Sequence, residues 1–315
     1  MPKKNIAFLE VPLSILILES VFEEQIKNLV IDKINILFSI PSSDELARVK
    51  SKYFNSSPFE IYKKRNFSWL FRHIFRSYIH KLENIFVCDI GIYNKLLIIF
   101  IRSKNIFILD DGLASVMRKR SITNFIIYFA KIFGKNIFYL SMFKKSFPSQ
   151  SGKFNINFRQ TTIKNTYKNK CFYICSNPTS DGMSIDDEDA LIKKILSFSI
   201  QNNKELVILP HRRNEHKKND NYKYIKYVFN KSNTFEEFYT ESKFQNCFFM
   251  TLYSSAIFAV GDDQPKYILK DFFKADIPSY NFFLRVFGVS VDVNNVINYM
   301  EDNLKNIIIL SPQDI

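Results

Sequence analysis

Apolar residues recur along this chain in two rhythms: short β-branched and aromatic runs, and longer stretches with helical spacing. Ile6-Ala7-Phe8-Leu9, held between Lys3-Lys4 and Pro12, predicts a strand over 5–10, and 13–30 reads as an amphipathic helix with Glu19, Glu23, Glu24 and Lys27 on its polar side. Further strands are expected over 34–39, 84–88 and 106–109. Ser42-Ser43-Asp44-Glu45 makes a good helix start, and helices are expected over 67–82, 94–102 and 125–133. The alternation resumes later, with strands over 171–175, 205–209, 247–250 and 267–269 and helices over 187–200, 236–244, 256–260 and 293–305.

Strand and helix in alternation predict an α/β fold built from two Rossmann-like domains with largely parallel sheets facing a central cleft. Between the halves, 147–170 is a polar mixture of Asn, Thr, Lys, Ser and Gly with scattered apolar residues. The expected organisation is therefore a first domain over 1–150, a linker over 151–170 and a second domain over 171–315, with the last helix packing back on the first. A length of 315 residues suits two domains of ordinary size.

Lys and Arg exceed Asp and Glu by 44 to 31, so a net charge of +13 favours an anionic partner: nucleic acid, an acidic lipid surface or a phosphorylated substrate. The abundance of Lys, Asn, Ile and Phe reads as a coding bias as much as a physical choice. Cys88, Cys171, Cys175 and Cys247 form no metal pattern; strand alternation puts Cys171 and Cys175 on one face, as core. The apolar runs are too short to cross a bilayer and no signal peptide is visible, so a cytoplasmic protein is expected, resting on the inner face of the membrane. The aromatic and basic helix over 67–82 carries His73 and His80, seven apart on one face, with Glu83 beyond. A solvated or phosphate-contacting basic face is the better reading of it than a metal site.

Candidate chemistry gathers where strands end. The run Ile106-Phe107-Ile108-Leu109 stops at Asp110-Asp111-Gly112, where a buried strand would deliver acids to a crevice and Gly112 would permit a tight turn; an ordinary polar turn fits the same residues. His211, Arg212 and Arg213 follow Val207-Ile208-Leu209-Pro210, and an imidazole with guanidinium groups suits a phosphate, although a charged surface loop would look alike. Ser254-Ser255 follows a strand and opens a run of small residues, fitting either an anion site or a plain helix cap. The succession of acid pair, histidine and serine pair, each just after a strand, is harder to obtain by accident than any one of them.

In Asp110-Asp111-Gly112, His211-Arg212 and Ser254-Ser255 the chain resembles the bacterial GT-B sialyltransferases, among them lipooligosaccharide sialyltransferases and capsule polysialyltransferases. Pro12-Leu13 leading into a helix with Glu19 resembles that family's opening. Arg212 stands where the family has proline, with Pro210 before the histidine instead. The resemblance implies transfer of sialic acid from CMP-sialic acid to a glycan hydroxyl, inverting and with no metal cofactor. It implies Asp110 as general base, Asp111 and Gly112 shaping the turn, and His211 binding and protonating the leaving phosphate. Arg212, Ser254 and Ser255 would bind that phosphate, and Ser176, Asn177, Pro178 and Gly182 would wrap the nucleotide. The implied partners are a CMP-sugar donor, a glycan or glycolipid acceptor bound by the first domain around 89–94 and 67–82, and an anionic membrane surface; a homodimer is admitted and nucleic acid is not expected. A GT-B transferase for another CMP-activated acidic sugar, such as pseudaminic acid or Kdo, or a UDP-sugar, is the alternative. Outside enzymes, the alternative is a basic membrane- or nucleic-acid-binding protein.

Overall fold

The computed structural model describes residues 4–9, 17–18, 33–37, 59–62, 66–80, 82–88, 92–109, 127–141, 152–155, 162–176, 183–210, 226–227, 235–272 and 293–315. The chain divides into two compact units, Met1–Asn157 with Val286–Val289 and Phe158–Arg285 with Ser290–Ile315.

The first unit holds strands β1 (Lys4–Leu9), β2 (Lys33–Leu37), β3 (Phe59–Tyr62), β4 (Leu82–Cys88), β5 (Ser103–Leu109), β6 (Asn136–Ser141) and β7 (Gly152–Asn155). They form a seven-stranded sheet in the order β3-β2-β1-β4-β5-β6-β7, each pair parallel. Alternation sorts the side chains: Phe8, Ile85, Val87, Ile106, Ile108, Ile137 and Tyr139 share one cluster with helix α1 (Phe67–Ile79), helix α2 (Ile92–Phe100) and the helical segment 127–132. On the opposite parity Phe86, Phe107 and Phe138 stack across β4, β5 and β6, ring centroids 4.8 and 4.9 Å apart. Asn66 caps α1, its Oδ1 accepting the Trp69 N–H at 2.8 Å.

A ladder of asparagines crosses this sheet near the strand starts. Asn84 Nδ2 donates to Asn5 Oδ1 at 2.9 Å, Asn105 Nδ2 to Asn84 Oδ1 at 2.8 Å and Asn136 Nδ2 to Asn105 Oδ1 at 3.0 Å. The four residues are register partners on β1, β4, β5 and β6, so each amide fixes its strand against the next. Buried polar groups need such partners, and Asn5 and Asn84 are both buried.

The second unit holds β8 (Asn165–Lys168), β9 (Lys170–Ile174), α3 (Ile185–Gln201), β10 (Glu205–Leu209), β11 (Lys226–Tyr227), α4 (Phe235–Thr240), β12 (Ser242–Gln245), β13 (Phe248–Thr251), a 3-10 helix (Ser255–Ala259), β14 (Lys266–Leu269), α5 (Val293–Asn303) and β15 (Ile307–Leu310). Six strands run parallel in the order β11-β10-β9-β13-β14-β15, and β8 pairs with β12 apart from them. Cys171 and Cys175 lie in one cluster beneath α3 with Leu191, Ile192 and Ile195, as alternation predicted. The other face is aromatic: Phe172 stacks on Phe249 at 5.1 Å, and Tyr167, Phe238, Tyr239 and Phe244 close around the pair.

Several expectations change in detail. The stretch 151–170, read as a linker, contains β7 at the edge of the first sheet and the whole of β8. The helix expected over 236–244 ends at Thr240, and the chain turns into β12. The run after Ser254-Ser255 is a 3-10 helix of 5 residues.

Candidate functional site

Both sheets reverse direction at their first strand. In the second unit the chain passes from β9 outward through β10 to β11, then returns to β13 on the other side of β9. The carboxyl ends of the two strands flanking such a reversal are where open α/β sheets keep their ligand crevice. In the first unit the same position lies between β1 and β4.

Three hydroxyls brace the crevice of the second unit. Thr251, fully buried at the end of β13, donates from Oγ1 to the Ile174 carbonyl at the end of β9, at 2.9 Å, and accepts the Ser254 N–H at 3.0 Å. Ser176, two residues past β9, is buried and its Oγ accepts the Tyr253 N–H at 3.1 Å. Ser254 Oγ lies 3.4 Å from the Ala256 N–H and its carbonyl accepts from Ile257 N–H at 3.2 Å, closing the 3-10 turn. On the other side, Cys175 N–H donates to Leu209 O at 2.9 Å. The ends of β9 and β13 are thus tied into one rim by side-chain hydrogen bonds the regular ladder cannot supply, and a ladder bond holds β10 beside them. Ser254 and Ser255 stand half-buried on that rim, whereas Ser176 is inside it as a brace.

A second polar group lies at the start of α3. Ser184 caps α3, its Oγ accepting the Asp187 N–H at 3.1 Å and donating to Asp187 Oδ2 at 2.6 Å. Glu188, one residue on, points inward and is 1% exposed. It stands near the Tyr173 phenol, whose pKa burial pushes well up, with Cys175, Glu188 and Tyr253 adding to the rise. The phenol therefore stays protonated. Thr251 and Glu188 were not singled out from the sequence: the strand was expected to end at Met250, and Glu188 read as one more acid in a helix's first turn.

In the first unit, β5 ends at Leu109, paired with Cys88 at the end of β4. Asn94, fully buried near the start of α2, donates from Nδ2 to Cys88 O at 2.5 Å and holds this edge. Asp110, Asp111 and Gly112 follow Leu109 in the sequence, and His211 and Arg212 follow Pro210; all five lie outside the described residues, as do Asn177, Pro178 and Gly182. Of the residues singled out from the sequence, Ser176, Ser254 and Ser255 are the ones placed, and they share one crevice.

The histidines of α1 part company. His73 is buried, its ring 5.0 Å from Phe8 and 4.8 Å from Trp69, and is not on a solvated face. The helix ends at Ile79, so His80 is an extended, exposed C-cap and the seven-residue spacing no longer aligns the two. Among the described residues, no three His, Cys, Asp or Glu side chains gather as a metal site would require.

No family model matches the sequence, and no curated protein does. Solved structures match nearly the whole chain. The protein assigned as a UDP-N-acetylglucosamine 2-epimerase in Listeria monocytogenes is 11% identical over 96% of this chain and 88% of its own, with a TM-score of 0.51. A MurG of Acinetobacter baumannii is 8% identical over 99% and 87%, with a TM-score of 0.49. A sialyltransferase of Photobacterium damsela is 8% identical over 98% and 81%, with a TM-score of 0.48. At such identities the likeness is one of fold. Two α/β units, each built on a parallel sheet that reverses at its first strand, make this a chain of the GT-B fold class.

Proposed function

We propose that the protein is a glycosyltransferase that moves an acidic sugar, sialic acid foremost, from its CMP donor to a hydroxyl of a lipooligosaccharide or capsule glycan at an anionic membrane. The observation that carries this reading is the braced crevice at the ends of β9 and β13, where Ser254 and Ser255 stand half-buried beside a strand reversal. Hydroxyls there suit the oxygens of a single phosphate. Asp110 would take the proton from the acceptor hydroxyl as that oxygen attacks the anomeric carbon, inverting it, and Asp111 with Gly112 would shape the turn. His211 would give its proton to the departing CMP phosphate, with Arg212, Ser254 and Ser255 holding the oxygens. A monophosphate leaves with less charge than a diphosphate, so the reaction is expected to run in chelator.

A thermal-shift series with CMP, CDP, UMP and UDP in EDTA tests the donor class. Stabilisation by the cytidine nucleotides alone, lost in His211→Ala, supports the reading, because a ligand that binds only the folded state raises the melting temperature. Equal stabilisation by UDP, the nucleotide of the sugar named for the Listeria protein, would move the donor to a UDP-sugar. Asp110→Ala is expected to abolish turnover and keep the CMP response, since a base acts on the acceptor side.

A further inference from the structure

Helix α1 carries two apolar sides. Its inner side, Trp69 and Leu70 with His73 and Ser77, is buried on the first sheet. Its outer side shows Phe67, Phe71, Phe75 and Ile79 at four-residue spacing, exposed by 60%, 64%, 68% and 55%. Four large apolar side chains in one line on a helix form a continuous stripe and not scattered exposure. The next line round the helix is Ser68, Arg72 and Arg76, all exposed.

The stripe continues onto neighbouring elements of the same unit. Arg102 N–H donates to Ser77 Oγ at 2.9 Å and its guanidinium lies 6.0 Å from the Tyr78 ring, which brings the end of α2 and exposed Phe100 beside the end of α1. Lys135 Nζ donates to Ile98 O at 2.7 Å and to Ile99 O, so Ile132 and Phe133, 60% and 59% exposed, adjoin the end of α2.

Charge names the partner. Residues 66–82, 92–109 and 127–141 contain no Asp or Glu, while Arg72, Arg76, Arg102 and Lys104 are exposed among them. Exposed aromatic rings with flanking guanidinium groups, and half-buried Glu83 as the acid next in sequence, match the layered chemistry of an anionic bilayer surface, apolar below and phosphate above. No described helix is long and apolar enough to cross a membrane, so contact through this face would be peripheral.

We propose that the outer face of α1, with the ends of α2 and of the helical segment 127–132, docks the protein flat on an anionic lipid surface. The proposal rests on the transferase reading only for its purpose, to hold the enzyme where a lipid-borne acceptor lies. An opposing protein would need its own acidic and apolar stripe, and the described residues of this unit supply none for a second copy.

The test is flotation of the full chain with vesicles of phosphatidylglycerol and phosphatidylcholine against phosphatidylcholine alone. The wild type is expected to float with the anionic vesicles and to be released as salt is raised. Phe71→Ser with Phe75→Ser should weaken partitioning by at least about tenfold through lost apolar insertion, and Arg72→Gln with Arg76→Gln by about tenfold with a flatter salt response. Trp69, the sole tryptophan, lies on the inner side of α1, so an unchanged emission maximum reports that each variant is folded. A wild type that ignores anionic vesicles, or an aromatic double variant that binds them as tightly, overturns the docking surface. Retention on DNA in place of vesicles overturns it in favour of nucleic acid. Vesicle binding without any nucleotide response keeps the surface and overturns the transfer reading.

Discussion

Aromatic residues do opposite work in the two units. On the second sheet, Phe172 and Phe249 stack face to face and Tyr167, Phe238, Tyr239 and Phe244 seal them from water, the covering rings coming from α4, β8 and β12. On α1, Phe67 touches Tyr93 on one side, and Phe71 and Phe75 stand open, 64% and 68% exposed. The difference is supplied by the chain that follows: α4 and β12 lay a second layer over one sheet face, whereas the outer side of α1 faces away from its sheet. A phenylalanine is core or contact according to what packs above it, and its residue type is silent on which.

Substitution at equivalent-looking positions should break the pair apart. Phe172→Ala is expected to lower stability by about 3–5 kcal/mol, because a fully buried ring leaves a cavity, while Phe71→Ala should change it by about 0.5 kcal/mol or less. Denaturant midpoints at unchanged slope would measure both, and a similar loss for the two would mean that the α1 stripe is covered after all. Asn84→Ala comes next, at about 2 kcal/mol, since it removes one bond on each side and leaves Asn5 and Asn105 to find other partners. That loss would show that the first unit relies on polar register as well as on its own stacked rings.

The smallest effect is one of pH. Burial lowers the Lys135 pKa from 10.5 to about 8. The unfolded chain therefore holds this proton more tightly than the folded one between those values, so this group's penalty is relieved and stability rises as pH goes from about 8 to 10.5. Lys135→Met should remove that share of the slope, read from unfolding midpoints across the range. Lys266 in the second unit is a parallel case, its Nζ donating to Gly261 O at 2.7 Å and Lys305 O at 3.0 Å with burial lowering its pKa.

Apolar alternation made the central strands legible: β1, β4, β9 and β10 and helix α3 stand within about two residues of their expected places, and with them the α/β class. Edge elements were not. β8 is mostly exposed and β7 is glycine-led and short, so neither has an apolar face to announce it, and a polar mixture read as a linker. Thr240 to Gln245 keeps a helical look because the turn out of α4 carries no glycine or proline. The asparagines misled most. Their abundance read as composition, yet Asn5, Asn84, Asn105 and Asn136 form the ladder, and Asn169, Asn203, Asn246 and Asn306 take left-handed backbone, φ between 52° and 55°, just before β9, β10, β13 and β15. The signal was present as a recurring Asn-Ile pair at 5–6, 84–85, 105–106, 136–137 and 306–307. Of the candidate site, the serines were legible as residues after strands; their division into rim and brace depends on long-range partners such as Tyr253 and Ile174 that no local window contains.

The asparagine ladder sits near the amino ends of its strands, and the loops that would carry chemistry leave from the other ends. Alignment of the sheet is therefore decided far from the residues that follow Leu9, Cys88 and Leu109. Lineages, or engineers, can lengthen, shorten or exchange those loops without shifting a strand, so what the loops bind can diverge over a scaffold that never has to be renegotiated.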